Sequence, residues 1–282
     1  MNDAQKKTAI FLEVEPWEKA FLRKICPPAW QTLFYPDEAD RIDPKKIAAV
    51  EILSVFIYSD LTADLLKKMP KLKMIATRST GFDHIDVAYC REKGISVSNV
   101  PSYGANTVAE HAFALILSLS RKIYPARERT LHGDFSFHGL QGFDLMGKTL
   151  GVIGTGQIGR HAIRIARGFQ MQVLAYDPFP ERSLSELLEF TYVPLEELLK
   201  SADVITLHSP LSEQSHHLIG KSAFNVMKKG VLLINTARGA LAGRINRYRC
   251  PALGLGKRHR WRGRTGCLRG GRGGSRGAGT AF

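Results

Sequence analysis

Lys148–Asp177, KTLGVIGTGQIGRHAIRIARGFQMQVLAYD, reads as strand, glycine turn, helix, second strand and terminal carboxylate. Leu150–Ile153 is a short apolar run suited to a strand buried on both faces. Gly154, Gly156 and Gly159 then give G-x-G-x-x-G. In such a turn the first glycine makes the bend and the second lets backbone approach a pyrophosphate. The third lets the helix pack closely on its strand. Ile158, Ala162, Ile163 and Ile165 recur with roughly helical spacing over Gln157–Phe169. That helix would aim its amino-terminal amides and dipole at phosphate. Met171–Tyr176 is the next strand, and Asp177 ends it 18 residues after Gly159. A carboxylate there accepts hydrogen bonds from a ribose 2′-hydroxyl and repels a 2′-phosphate, so the stretch reads as a site for NAD rather than NADP. Three glycines alone are weak evidence; the strand–turn–helix–strand–Asp setting makes them specific.

Upstream, residues 8–104 alternate strand-like and helix-like pieces. Ala9–Val14, Thr32–Tyr35, Val50–Tyr58, Lys73–Thr77 and Ile95–Asn99 suit strands. Trp17–Ile25, Ala63–Met69 and Val87–Lys93 suit helices, the last closed by Gly94. Alternating β and α implies a parallel sheet covered on both faces. Asn106–Arg121 reads as a long helix with Asn106 or Thr107 as N-cap, mostly buried and lying between domains. A polar linking segment, Ala126–Phe143, leads to the glycine turn. Downstream, Ala202–Leu207 and Gly230–Ile234 are buried strands, ending at His208-Ser-Pro-Leu211 and Asn235-Thr-Ala-Arg-Gly239. Ligands of such sheets sit beyond the carboxyl ends of the strands, where Gly154–Gly159, Asp177, His208–Pro210 and Thr236–Arg238 all fall.

At 282 residues and 44% hydrophobic content the chain suits a globular protein of two domains. It has no apolar run of membrane-spanning length and no signal-peptide core, which implies neither secretion nor a membrane partner. Four scattered cysteines show no metal-ligand spacing and fit a reducing cytoplasm. The net charge of +14 is concentrated at the end: residues 243–282 hold ten Arg, one Lys and no acid. Any electrostatic argument for nucleic acid therefore concerns that tail alone, and its aromatics are sparse for base stacking.

The motifs RSTGFDHID, YGANTVAEHAFALIL, GKTLGVIGTGQIGR, LHSPL and INTARGAL, in this order, resemble the NAD-dependent D-isomer-specific 2-hydroxyacid dehydrogenases over about residues 8–242, closest to the D-lactate branch. The resemblance implies an α/β protein with two parallel sheets: a flavodoxin-like substrate domain (1–104) and a Rossmann NAD-binding domain (105–242) incomplete at its C-terminal end. It implies a homodimer and a small 2-keto or 2-hydroxy acid as substrate. By the same resemblance Gln157 and Ile158 contact pyrophosphate through backbone, and Asp177 holds the adenosine ribose. Ser209 and Pro210 line the adenine and ribose side, and Thr236 and Ala237 the nicotinamide side. Thr80 and Gly81 offer amides to the substrate carboxylate, with Tyr103 at the pocket edge or in simple core packing. Arg238 is the catalytic residue, gripping carboxylate and keto oxygen with a planar guanidinium. His208 reads as a loop residue near the cofactor, and His111 as satisfying a buried hydrogen bond.

The resemblance stops at about Gly243. Family members place a histidine and its partner glutamate downstream of the arginine, but the last acid here is Glu213, and His259 sits in an unrelated context, KRHRWRG. Gly and Arg make up 21 of the last 40 residues, a composition that cannot bury a core and reads as disordered. Codons compatible with Arg260–Arg272, read one base out of register, give Gly-Gly-Gly-Ala-Gly-Leu-Asp-Val-Tyr-Glu-Glu-Glu, which resembles the family's next strand and catalytic glutamate. A shifted reading frame is therefore expected beyond about residue 243, together with an inactive, destabilised protein whose Val231–Ile234 strand lacks a neighbour. The competing expectations are a non-catalytic NAD-binding module and nucleic-acid association through the tail.

Overall fold

A computed structural model describes residues 7–242 and the backbone of 266–268. The chain divides into two compact units, one ending at Tyr103 and the other beginning at Gly104.

The first unit runs β1 (Thr8–Phe11), α1 (Pro16–Ile25), β2 (Gln31–Phe34), α2 (Pro44–Ile47), β3 (Ile52–Val55), α3 (Ala63–Leu66), β4 (Met74–Thr77), α4 (Val87–Glu92), β5 (Ser96–Ser98). All pairings are parallel, in the order β2-β1-β3-β4-β5, the flavodoxin-like arrangement. Ile10, Leu53 and Ile75 from the three central strands are fully buried. The Asp86 carboxylate caps α4 by accepting from Tyr89 N, and Gly94 ends it at φ +67°, a conformation that favours glycine. The strand expected over Val50–Tyr58 stops at Val55. The amides of Phe56, Ile57, Tyr58 and Ser59 turn away from the sheet and donate to the Glu13 carboxylate. Helix α1 buries no residue: Trp17, Phe21 and Ile25, one face at i, i+4, i+8, are 74%, 60% and 60% exposed.

The second unit runs α5 (Ala105–Ser120), α6 (Ile123–Leu131), β6 (Thr149–Ile153), α7 (Gln157–Gly168), β7 (Gln172–Tyr176), α8 (Arg182–Leu188), β8 (Thr191–Tyr192), α9 (Leu195–Ser201), β9 (Val204–Leu207), α10 (Lys221–Val226), β10 (Leu232–Asn235), β11 (Gly266–Leu268). From one edge the sheet reads β8-β7-β6-β9-β10-β11. The first five strands are parallel and follow the 3-2-1-4-5 order of a dinucleotide-binding sheet, which reverses direction between β6 and β9. Helices α5 and α7 meet through small residues, Ala109 and Ala112 on one, Ala162 and Ala166 on the other, with Phe113, Ile116 and Ile163 filling the layer over the sheet.

Several expectations are corrected here. Helix α5 begins at Ala105 with Gly104 as N-cap and no side-chain cap bond, so neither Asn106 nor Thr107 caps it. Helix α6 runs into the expected linker as far as Leu131, and the short edge strand β8 has no counterpart in the sequence reading. The outer position beside β10 is not vacant: β11 lies there, antiparallel, so this sheet is not wholly parallel. The rest of the Gly/Arg tail, with His259, lies outside the described residues.

Candidate functional site

The carboxyl ends of β6, β7, β9 and β10 carry the predicted cofactor residues. Gly154 leaves β6 at φ +95°, and a Cβ there would stand 2.8 Å from Ser209 Oγ and 2.9 Å from the His208 carbonyl carbon. A Cβ on Gly159 would stand 2.0 Å from the Gly154 carbonyl oxygen. The turn closes only because both lack side chains. Gly156 is different: nothing lies within 4 Å of its Cβ position, so its surface is open to a ligand. Gly156 is also the N-cap of α7 and makes no side-chain cap bond, and the helix's first internal bond is Arg160 N to Gly156 O. The amides of the first turn, at Gln157 and Ile158, therefore point out of the helix toward that opening.

Asp177 follows β7 immediately. Its Oδ2 accepts from Thr155 N (2.8 Å) and Thr155 Oγ1 (3.0 Å), and its Oδ1 accepts from Phe179 N (3.0 Å). The residue remains half-exposed. Thr155 sits between the first two fingerprint glycines and bonds Tyr192 Oη at 2.9 Å. Sequence reasoning missed both partners. Thr155 occupies a variable place of the motif, and Tyr192 lies 37 residues further on.

At the end of β9, the His208 ring is enclosed, with Nε2 3.0 Å from Thr206 Oγ1 and Nδ1 without a partner among the described residues. Burial pushes its pKa down to about 4, so the ring is neutral near pH 7. This agrees with a packing role and disqualifies it as a proton donor at neutral pH. Ser209 Oγ donates to Ile153 O, and Pro210 O accepts from Ser215 Oγ. At the end of β10, Asn235 braces the turn: its Oδ1 accepts from Ala237 N and its Nδ2 donates to Arg238 O. Thr236 Oγ1 is buried without a partner among the described residues. Arg238 is half-buried, and its Nη1 lies 3.2 Å from Ala237 O. The His208 and Thr236 orphan atoms follow paired strand ends, since Leu207 and Asn235 are in register. Two unsatisfied polar atoms, an open Gly156 and an outward-pointing helix turn fit a bound dinucleotide.

In the first unit, Ser79, Thr80 and Gly81 follow β4. Thr80 Oγ1 donates to Val100 O and Thr80 O accepts from Asn99 Nδ2, while Ser79 Oγ donates to Gly81 O. Thr80 is exposed. Tyr103 is 63% exposed, which removes the core-packing reading. His111 is exposed as well, so it satisfies no buried hydrogen bond: it lies on the outer side of α5. Among the described residues, no three His, Cys, Asp or Glu side chains gather as metal ligands, and no helix is long and apolar enough to cross a membrane.

Residues 113–244 match the family described as D-isomer specific 2-hydroxyacid dehydrogenase, NAD binding domain. The D-lactate dehydrogenase of Escherichia coli (strain K12) is 43% identical over 193 residues, which cover 68% of this chain and 58% of that protein. The 2-hydroxyacid dehydrogenase homolog 1 of Schizosaccharomyces pombe is 37% identical over 238 residues, covering 82% and 70%. Among solved structures, D-lactate dehydrogenase from Aquifex aeolicus, complexed with NAD and lactic acid, superposes with a TM-score of 0.79 at 39% identity. That match covers 83% of this chain and 70% of the other. The chain thus spans less than two thirds of the Escherichia coli relative it matches.

Proposed function

This chain belongs to the D-isomer-specific 2-hydroxyacid dehydrogenases, and on that premise we propose that its second unit binds NAD and that its lineage interconverts a 2-keto acid, pyruvate favoured, and the D-2-hydroxy acid. The observation that carries the reading is the Gly154–Gly159 cradle: two glycines closed against backbone, one open, with Asp177 at the end of the next strand. Bound NADH would supply the hydride. Arg238 would hold the substrate carboxylate and keto oxygen, Thr80 and Gly81 would add backbone amides, and exposed Tyr103 would edge the substrate. Ser209, Pro210, Thr236 and Ala237 would line the dinucleotide. Gln157 and Ile158 would meet its pyrophosphate, and Asp177 its adenosine ribose.

Reduction also needs a proton donor tuned near neutrality. Neutral His208 does not meet that need, and no acid follows Glu213 to pair with a histidine. On this reading residues 1–282 by themselves would bind cofactor and turn over little. The shifted reading replaces Gly266-Cys267-Leu268 by Asp-Val-Tyr, at the stretch of the tail whose backbone lies along β10. The frame lesion near residue 243 rests on that codon match alone, because the pairing of this stretch is antiparallel where the five strands before it are parallel. Exposed Ile123, Tyr124, Leu131, Phe135 and Phe137, on and after α6, support a homodimer.

The test is a fluorescence titration with NADH alongside a pyruvate turnover assay. Saturable NADH binding with negligible turnover is expected. Loss of binding would end the dinucleotide reading, and appreciable turnover would end the claim of inactivity. Reading the coding DNA across codons 236–282 separates the two inactive cases. A restored glutamate and histidine motif in another frame means a damaged enzyme. No such frame means a non-catalytic NAD-binding module.

A further inference from the structure

We infer that Tyr192 and Thr155 are positioning residues that aim the Asp177 carboxylate, and that through it they set the preference for NADH over NADPH. The inference rests on the dinucleotide reading of the glycine turn.

The direction of the hydrogen-bond chain follows from charge. An ionised carboxylate only accepts, so the single hydroxyl proton of Thr155 must go to Asp177 Oδ2. The Thr155 oxygen then has only lone pairs left for Tyr192, and the phenol must donate. The order is therefore Tyr192 O–H to Thr155 Oγ1, and Thr155 O–H to Asp177 Oδ2. Thr155 N also donates to Oδ2, which leaves that oxygen with its acceptor positions filled. Among the described residues Oδ1 accepts from Phe179 N alone and keeps a lone pair, in a residue that is half-exposed. The relay thus decides which oxygen faces a ribose hydroxyl and stops the carboxylate from turning away from an incoming 2′-phosphate.

The parts that hold the relay are rigid. Thr155 is buried. Tyr192 stands on β8, and its ring meets that of Phe190 edge-on at 4.8 Å, with Phe190 only 7% exposed. A nearby cation is also occupied. Arg160 donates from Nε to Thr155 O and pairs with Glu181 at 2.8 Å. An unpaired arginine beside the ribose is what a 2′-phosphate would need.

The experiment uses the full chain and measures Kd for NADH and NADPH, with thermal melting in parallel. Tyr192→Phe keeps the ring and removes one donor. It should weaken NADH ~3–10-fold, as one lost hydrogen bond implies, leave NADPH unchanged and so narrow the ratio. Thr155→Val should do the same, and Thr155→Ser, which keeps the hydroxyl, should restore the ratio. Glu181→Gln, which frees Arg160, should tighten NADPH more than NADH. A purely structural role would lower the melting temperature and weaken both ligands alike, leaving the ratio fixed. An unchanged ratio in Tyr192→Phe, with NADH binding intact in the unaltered chain, overturns the inference. If Tyr192→Phe does not fold, the Thr155→Val and Thr155→Ser pair decides by the same criterion. No saturable NADH binding by the unaltered chain overturns the dinucleotide reading and this inference with it.

Discussion

Glu13 and Asp177 are both carboxylates just past the end of a strand, one in each unit, and both collect hydrogen bonds from their own chain. Glu13 follows β1 at φ +57° and is 9% exposed. It accepts from four consecutive amides, Phe56 to Ser59, and from the Ser59 hydroxyl. Asp177 accepts three bonds and stays half-exposed. The first behaves as an internal anion, filling a nest of amides that would otherwise invite a ligand. The second keeps acceptor capacity for one. Position at a strand end thus does not by itself separate an internal anion from the carboxylate proposed to meet a ligand; exposure and unspent lone pairs do.

The most severe way to break this contrast is Glu13→Ala. It leaves four adjacent amides without an acceptor and does not relieve the left-handed backbone, because alanine keeps a Cβ. A loss of about 3–5 kcal/mol is expected in urea denaturation. Glu13→Gln keeps one acceptor oxygen and should lose less. Asp177→Asn should change stability by about 1 kcal/mol or less while weakening NADH. Burial alone would raise the Glu13 pKa, but the Ser59 hydroxyl and the amides of Tyr58, Ser59 and Ile57 outweigh it and hold it below the ordinary value of 4.5. A depressed carboxyl stabilises the fold above its unfolded pKa and loses that contribution as pH falls through the folded value. The unaltered chain should therefore lose stability as pH drops below 4.5, and Glu13→Gln should flatten that slope. An acid profile identical in the two would show that Glu13 is not the internal anion.

A second contrast lies inside the glycine turn. Gly159→Ala forces a Cβ to 2.0 Å from a backbone oxygen, so the second unit should unfold more easily by about 2–4 kcal/mol. Gly156→Ala enters open space at φ −63°, which any residue adopts, so melting should hold. NADH affinity should nevertheless fall at least tenfold, because the new methyl stands where the pyrophosphate approaches. Equal behaviour of the two variants in both assays would refute the division into a closing glycine and an opening one.

The glycine turn was legible in the sequence because its chemistry is local. Gly154, Gly156 and Gly159 act through backbone within six residues, and strand and helix periods flank them on both sides. That β6, β7, β9 and β10 are strands followed from their short apolar runs for the same reason, whereas their order in the sheet did not. Contacts made at long separation were hidden. Glu13 meets Ser59 across 46 residues, and that contact cut short the strand expected over Val50–Tyr58. Thr155 meets Tyr192 across 37, with β8 too short to leave a period. His111 was misjudged because its neighbours on α5 are apolar, while its own position falls on the helix's outer side.

The smallest effect tests the orphan atoms at the ends of β9 and β10. Thr236 Oγ1 is buried with no partner among the described residues, so in the free protein its hydroxyl is a desolvated group that none of them offsets. Thr236→Val keeps the branched shape and removes that group. The free chain should gain about 0.5–1 kcal/mol, read as a small rise in melting temperature. If the hydroxyl is waiting for the dinucleotide, the same change should weaken NADH by ~3–10-fold. The two effects have opposite signs, as expected of a group left unsatisfied in the fold because it is satisfied by a ligand. A gain in stability with unchanged affinity would leave Thr236 as a packing flaw and remove it from the site.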